Sequence, residues 1–96
     1  MTPDAATLVD RVKAGLKNVI DPEIGRDVVS LGLIYHIEAD AAGSVHISMT
    51  TTTPDCPAAG FLVEGVRYAA ASVAGVETVE VELTYEPRWK PEMMSA

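Results

Sequence analysis

The sequence is short of cysteine, aromatic rings and positive charge. Its 96 residues include one cysteine, one tryptophan and one phenylalanine, and only 7 basic residues face 14 acidic ones. A single cysteine excludes an intramolecular disulfide, and in a reducing compartment it leaves one thiol free to react or to bind metal. The formal net charge of -7 opposes binding to phosphate backbones, so we expect no nucleic-acid partner.

The chain also lacks long hydrophobic runs and a leader-like N-terminus. Hydrophobic residues make up 48% of it, yet no apolar stretch approaches the roughly 20 residues that cross a bilayer. No basic segment followed by an apolar stretch, the mark of secretory and transit peptides, is present at the start. We therefore expect a single cytoplasmic domain over residues 1–96, without membrane association and with a thin two-layer core.

Two stretches have the spacing of amphipathic helices. The first begins at Thr2 and Pro3, which fit an N-cap and a first-turn proline, and ends near residues 18–20 because Pro22 disfavours helical geometry before it. Its apolar stripe is Leu8, Val12, Leu16 and Val19. The second covers residues 58–73 and is closed by Gly75. Its stripe is Leu62, Val66, Ala69, Ala70 and Val73.

Three stretches alternate with a period of two and predict strands. Their apolar positions are Leu33, Tyr35, Ile37 and Ala39, then Val45, Ile47 and Met49, then Val79, Val81, Leu83 and Tyr85. Matching the first two apolar faces predicts a hairpin with the pairs Ala39–Val45, Ile37–Ile47 and Tyr35–Met49. The loop is then 41–43, with Gly43 in the left-handed position that such loops favour.

The element order is helix, strand, strand, helix, strand. We therefore predict an α+β fold in which two helices cover one face of a small mixed sheet, since that arrangement buries every stripe. Residues 86–96, which contain Pro87 and Pro91, are predicted to form an extended C-terminal strap. Trp89 in the strap is either an exposed contact residue or folded back on the core.

Cys56 is the first candidate functional residue. If Pro57 opens the second helix, the thiol lies at a helix N-terminus, where the dipole favours the thiolate that binds metals. Asp55 acts in the opposite direction, and a packed structural role for Cys56 stays open. A cysteine nucleophile needs a nearby base, but the hairpin register puts His36 and His46 on the face away from the helices.

Two other polar groups have both structural and functional interpretations. Asp21 and Glu23 flank Pro22 in a stiff turn that can present oxygen ligands, or simply stop the helix with solvated acids. The run of threonines at 50–53 can bind an anion at a helix N-terminus, or cap the helix and finish the strand.

Four motifs resemble one protein family. They are Asp21-Pro22-Glu23-Ile24-Gly25, Leu31-Gly32-Leu33-Ile34-Tyr35, the run from Met49 through Thr52-Thr53-Pro54 to Cys56-Pro57, and Tyr85-Glu86-Pro87 with Trp89, Met93 and Met94. In this order they resemble the PaaD/SufT-like family of iron-sulfur cluster assembly proteins. The resemblance implies a fold related to the C-terminal domain of NifU-like proteins.

The resemblance also implies a role in maturing iron-sulfur proteins rather than an enzymatic one. Cys56 would be the reactive or ligating residue, and Asp21, Glu23, Thr50, Thr52 and Thr53 would line one groove with it. Expected partners are the iron-sulfur assembly machinery and apo client proteins, with the chain acting as a homodimer. A cluster usually takes four cysteine ligands, so one cysteine implies no stable cofactor and, at most, a cluster or iron held transiently.

The chain departs from the family pattern at its end. Tyr85 stands where tryptophan is common, and the cysteine-rich C-terminal part of the PaaD branch is absent, which favours general maturation over a dedicated role in phenylacetate ring oxidation. Two other functions stay open: an adaptor that docks a metabolic enzyme with Cys56 merely packed, and a small-molecule regulatory domain, which rests on architecture alone.

Overall fold

The computed structural model describes residues 5–54 and 56–94, with side chains from Thr7 onward. The elements are α1 (Ala5–Leu16), β1 (Ile34–Ala39), β2 (Ser44–Met49), α2 (Ala59–Ala71), β3 (Thr78–Leu83) and a 3-10 helix at Pro91–Met93. The predicted order of two helices and three strands is thus confirmed. The predicted N-cap at Thr2 and Pro3 lies outside the described residues.

The three strands form one mixed sheet in the order β1-β2-β3. β1 and β2 are antiparallel, whereas β2 and β3 are parallel. Parallel neighbours need a long crossover, and the 13-residue α2 supplies it. The predicted mixed sheet is therefore confirmed, and its central strand is β2.

The hairpin keeps most of its predicted register. Ala39 pairs with Val45 and Ile37 with Ile47, and Gly43 has φ 88° in the predicted loop. The predicted pair Tyr35–Met49 is wrong, because a bulge between Ile34 and His36 makes Ile34 the partner of Met49. Tyr35 is the extra residue of this bulge, and its side chain is therefore released from the regular alternation.

The core lies between the helices and one face of the sheet. The buried stripe of α1 forms one cluster with alternate side chains of β2 and the stripe of α2, which are Val45, Ile47, Met49, Leu62, Val66 and Ala70. The helices approach closely at Gly15, where a β-carbon would lie 3.6 Å from the carbonyl oxygen of Ala69 in α2. Each fully buried leucine or isoleucine contributes about 1.5–3 kcal/mol by leaving water, so neither layer is stable alone.

Both helices are shorter than predicted at their ends. α1 ends at Leu16, and a tighter turn follows in which Val19 N–H donates to the Leu16 carbonyl (3.0 Å). Such i→i+3 bonds satisfy the last carbonyls of a helix. Within the described residues, no helix has the length and apolarity that a membrane span requires.

A single turn stabilised by Asp27 leads into β1. Asp27 Oδ2 accepts hydrogen bonds from the N–H groups of Val29 (3.0 Å) and Ser30 (2.9 Å). Burial acts to raise the pKa of Asp27, but hydrogen bonds from the side chain and backbone of Ser30 and the backbone of Val29 outweigh it and hold the pKa below its usual value.

Replacing Asp27 by alanine is expected to lower the free energy of unfolding by about 1 kcal/mol at neutral pH, because two donors lose their acceptor. The folded-state pKa is the lower one, so the stabilisation by the charged form is complete above the unfolded value of 3.8 and is lost as the pH falls through the folded value. Urea titrations of both proteins from neutral to acid pH should show the difference shrinking. Asp27→Asn, which keeps an acceptor, should lose less, and a difference that stayed constant with pH would contradict this account.

The strap (residues 86–94 of the described chain) is anchored on the start of β1. Trp89 Nε1 donates to the Leu31 carbonyl (2.7 Å), and the Tyr35 hydroxyl donates to the Pro87 carbonyl (2.7 Å). Trp89 also packs against the core. The Glu86–Pro87 bond is cis. The strap is not extended throughout, because Pro91–Met93 form a 3-10 helix.

Gly32 is the point of closest approach between the strap and the core. Its φ is 76°, and a β-carbon at this position would overlap the backbone carbonyl of Met93. Only glycine fits both the left-handed backbone and the neighbouring strap.

Candidate functional site

The threonine run follows directly on β2. Thr50 N–H donates to the Leu33 carbonyl (2.8 Å), so the hairpin ladder continues one step beyond the strand. Thr50 and Thr51 are buried, at 0% and 1% exposed, Thr52 is half-buried and Thr53 is exposed. The run therefore takes the chain from the core to the surface.

Cys56 lies in the turn between the threonine run and α2. Its side chain is 8% exposed, and it is not a member of the cluster of buried side chains that forms the hydrophobic core. Its N–H donates to the Thr53 carbonyl (3.2 Å), and its carbonyl accepts from Ala59 N–H (3.1 Å). These two hydrogen bonds fix the backbone of the turn that carries Cys56, whose side chain is buried.

α2 begins too late to place Cys56 at its N-terminus. Its first residue is Ala59 and its N-cap is Ala58, which makes no side-chain capping bond. Pro57 therefore does not open the helix, and Cys56 is separated from it by two residues. Because the dipole effect is strongest at the helix terminus itself, it is a weaker influence on the thiol than predicted. Asp55 lies outside the described residues.

Asp21 forms a tight turn between α1 and the Asp27 turn. Its N–H donates to the Arg26 carbonyl (2.9 Å), its carbonyl accepts from Gly25 N–H (2.8 Å), and its Oδ1 accepts from Glu23 N–H (2.9 Å). The side chain is 0% exposed. Hydrogen bonds within the turn therefore help to hold this carboxyl group inside the protein.

The second oxygen of Asp21 has no partner. Asp21 Oδ2 is buried and makes no hydrogen bond, and no other buried side-chain oxygen or nitrogen among the described residues is left unpaired in this way. A buried acceptor left unpaired costs about 1–3 kcal/mol, and more if it is charged. Such atoms in native proteins call for an explanation, and a ligand or donor from another molecule is one that the chemistry of a carboxylate favours.

The other residues predicted to line the groove differ in their environments. Glu23 and Thr53 are exposed and Thr52 is half-buried, whereas Thr50 is fully buried like Asp21. In the part of the chain that the structure describes, no hydrogen bond joins Asp21 or Glu23 to the threonine run. A shared groove with Cys56 stays a prediction.

Both histidines are engaged on the open face of the sheet. His36 Nε2 lies 3.0 Å from Glu38 Oε1, and His46 Nε2 lies 4.0 Å from Glu80 Oε1. The register pairs His46 with Glu38 and His36 with Ser48. The helices cover the other face, so this geometry does not favour a cysteine–histidine nucleophile.

Two tyrosines contact the buried threonines, and strand alternation alone did not predict these contacts. The Tyr85 hydroxyl lies 3.0 Å from Thr51 Oγ1, and the Tyr35 hydroxyl hydrogen-bonds with the Thr50 side chain. Burial raises the pKa of Tyr35, and the bond with Thr50 acts against that rise. The strand alternation placed both tyrosine rings on the core face. The one sequence signal for these contacts is that each ring carries a hydroxyl group, which can hydrogen-bond with the threonine run at 50–53.

The ligand set for a metal is incomplete. Within residues 5–54 and 56–94, no three side chains of the types histidine, cysteine, aspartate and glutamate come together as a metal site requires. The chain has one cysteine, and a cluster usually takes four. Iron or a cluster bound through Cys56 would therefore need ligands from other molecules.

Known proteins give this arrangement a context. The chain matches the family described as "Iron-sulfur cluster assembly protein" over residues 9–83. It is 50% identical over 80 residues to the Fe-S protein maturation auxiliary factor of Porphyromonas gingivalis, covering 83% of this chain and 76% of that protein. It is also 40% identical over 77 residues to the iron-sulfur cluster carrier protein of Synechocystis, covering 80% of this chain and 22% of that larger protein.

A solved structure shares the fold. The domain of unknown function from Bacillus anthracis superposes with a TM-score of 0.91 at 38% identity, covering 95% of this chain and 87% of that chain. The family match includes the Asp21 turn, the threonine run and Cys56, and it confirms the resemblance found in the motifs. The chain therefore belongs to the iron-sulfur cluster assembly protein family.

Proposed function

We propose that this protein is a cytoplasmic accessory factor in the maturation of iron-sulfur proteins, and that it helps to pass clusters to apo-proteins through Cys56 without catalysing a reaction of its own. The observation that carries the proposal is the position of Cys56, the sole thiol, in the turn between the threonine run and α2 and outside the cluster of side chains that forms the hydrophobic core. The names of the two relatives, an auxiliary factor and a carrier, support it.

The cluster is the cargo of this protein and not its resident cofactor. A thiolate is a soft ligand suited to iron-sulfur clusters, and one thiolate fills one of about four positions. The remaining ligands would come from a donor protein, a second copy of this chain or the client. Transfer is then ligand exchange: a client thiol binds iron as a thiolate, the Cys56–iron bond breaks, and the proton given up by the client thiol ends on the departing Cys56 sulfur. A chain with a single thiol releases the cluster easily, as a transient holder must.

Asp21 is proposed to assist the same exchange. Its Oδ2 is buried and unpaired, so a cation or a donor group from a partner would remove the cost of leaving it unsatisfied. A carboxylate can bind iron directly or accept a hydrogen bond from an incoming thiol. Glu23, exposed beside it, would contact the partner first.

The test of the proposal is anaerobic transfer to a defined client. The chain is incubated with ferrous iron, sulfide and an apo-ferredoxin, and holo-ferredoxin is followed by visible absorption. We expect faster formation of holo-ferredoxin with the chain than with an equal concentration of serum albumin. Equal rates would contradict a role in cluster delivery.

A second function is favoured by the burial of Cys56 and by an apolar groove. The groove, of about 690 Å³, lies between α1 and α2 and is bordered by exposed Phe61 and Tyr68. A protein-interaction adaptor would use such a surface and keep Cys56 packed. Alkylation separates the two functions, because a packed thiol would react only in the unfolded chain, whereas a working thiol reacts in the native one.

Replacing Asp21 by asparagine is expected to separate stability from function. Asparagine keeps the acceptor for Glu23 N–H and removes the charge, so stability should stay within about 1 kcal/mol of wild type or rise. Cluster transfer should fall roughly tenfold, as for other groups that support metal ligands. Asp21→Ala also removes the acceptor for Glu23 N–H, so it serves as a control that shows the effect of losing the turn's hydrogen bond. Full transfer activity in Asp21→Asn would remove Asp21 from the proposal.

A further inference from the structure

The hydroxyl of Thr51 connects Tyr85 to the backbone around Cys56. Thr51 is 1% exposed. Its Oγ1 lies 2.5 Å from the Thr53 carbonyl and 3.0 Å from the Tyr85 hydroxyl. The same Thr53 carbonyl accepts the N–H of Cys56 at 3.2 Å. A continuous path of hydrogen bonds therefore runs from Tyr85 to the cysteine.

The direction of each bond in this path follows from the chemistry of the groups. A carbonyl oxygen only accepts, so Thr51 must give its single hydroxyl proton to Thr53. The Thr51 oxygen is then the acceptor towards Tyr85, and the Tyr85 hydroxyl is the donor. The substitution Tyr85→Phe would remove this donor while keeping the ring.

Tyr85 is placed by the sheet rather than by the turn that it supports. The preceding residue, Thr84, donates its N–H to the Met49 carbonyl at the end of β2 (2.8 Å). The chain continues from Met49 through Thr50 to Thr51, so both ends of the Tyr85–Thr51 bond start from adjacent strands. Tyr85, two residues beyond the end of β3, thus reaches the loop that carries the thiol.

We propose that Tyr85 is a positioning residue for Cys56, acting through Thr51 and Thr53 to set how readily the thiol is presented to another molecule. Tyr85 touches no cluster in this mechanism. The inference rests on the proposed function only in taking the Cys56 thiol as the working group. Its direct consequence, the accessibility of the thiol, can be measured without iron.

The experiment is alkylation of the native protein by iodoacetamide over a range of pH, since Cys56 is the sole cysteine. In Tyr85→Phe we expect the rate at high pH to rise about three- to tenfold, the range that loss of one net hydrogen bond corresponds to. Tyr35→Phe also removes a tyrosine hydroxyl, one bonded to Pro87 and Thr50, and Tyr68→Phe removes an exposed one. Both should alkylate like wild type.

Variants of Thr51 test the path itself. Thr51→Val removes the hydroxyl and keeps the shape, and Thr51→Ser keeps the hydroxyl. Thr51→Val should accelerate alkylation at least as much as Tyr85→Phe, because it removes the bonds of Thr51 to both Tyr85 and Thr53. The double variant with Tyr85→Phe should match Thr51→Val alone, because Thr51→Val has already removed the acceptor of the Tyr85 hydroxyl. Thr51→Ser should restore the wild-type rate, which a merely structural effect of position 51 would not do.

Three results would overturn the proposal: a wild-type profile in Tyr85→Phe, equal acceleration in Tyr35→Phe, or additive effects of Thr51→Val and Tyr85→Phe. The proposed function fails differently, through unchanged delivery to apo-ferredoxin in the presence of the chain. If alkylation responds as expected and delivery does not occur, the positioning role of Tyr85 stands and the proposed function is wrong.

Discussion

Replacing Cys56 by serine is expected to abolish delivery of clusters to apo-ferredoxin. Serine is close in shape, but its hydroxyl stays protonated at neutral pH and is a hard oxygen ligand, whereas clusters select soft thiolates. No other cysteine is present to replace it. The measurement is the rate of holo-ferredoxin formation by visible absorption, with wild type and variant at equal concentration.

The fold should survive this change, and a second variant checks that it does. Cys56 is outside the main core cluster, but a hydroxyl at 8% exposure can still cost about 1–3 kcal/mol if it finds no partner. Cys56→Ala adds no polar atom and removes the same ligand. Both variants should lose delivery while Cys56→Ala keeps the wild-type unfolding midpoint more closely. Delivery that persists in both would exclude the thiol from the mechanism.

Gly32→Ala is expected to give the largest loss of stability. The left-handed backbone at φ 76° costs a side-chain-bearing residue about 1–2 kcal/mol. The new methyl group would also overlap the Met93 carbonyl, and overpacking of this kind adds about 1–3 kcal/mol. The strap should therefore detach, exposing Trp89, and the emission of this single tryptophan should shift to the red.

Gly25→Ala is the matched control for this experiment. Gly25 has a similar φ of 81°, but a β-carbon there meets nothing within 4 Å. It should lose only the cost of the left-handed backbone and keep the emission of wild type. Equal losses of unfolding free energy in the two variants, measured by urea titration, would show that contact with the strap adds nothing to the cost of a side chain at position 32.

The hairpin shows what a sequence can and cannot specify about a fold. A period of two together with Gly43 determined the loop and the pairs Ile37–Ile47 and Ala39–Val45, because a shift of one residue would expose the apolar face. The same alternation of apolar and polar residues could not predict the bulge at Tyr35. Leu33, Ile34 and Tyr35 are all apolar in sequence, so alternation has no phase there and an inserted residue leaves no trace.

The candidate site, too, was predicted only in part. The motif around Cys56 indicated the important turn, but local sequence did not reveal the late start of α2 at Ala59. The burial of Asp21 was also unexpected, since a charged residue beside Pro22 usually lies in water. It is held inside by backbone hydrogen bonds to Arg26 and Gly25, and contacts between distant segments, such as Tyr85 with Thr51, arise only on folding.

The most direct measurement of the central claim is size-exclusion chromatography of the anaerobically reconstituted chain, with absorbance recorded for both protein and cluster. If one thiol per chain supplies one ligand, cluster absorbance should elute with a dimer or with a complex of the chain and apo-ferredoxin. In Cys56→Ser, neither of these cluster-containing species should be present. A cluster that eluted with the monomer and survived the loss of Cys56 would contradict it.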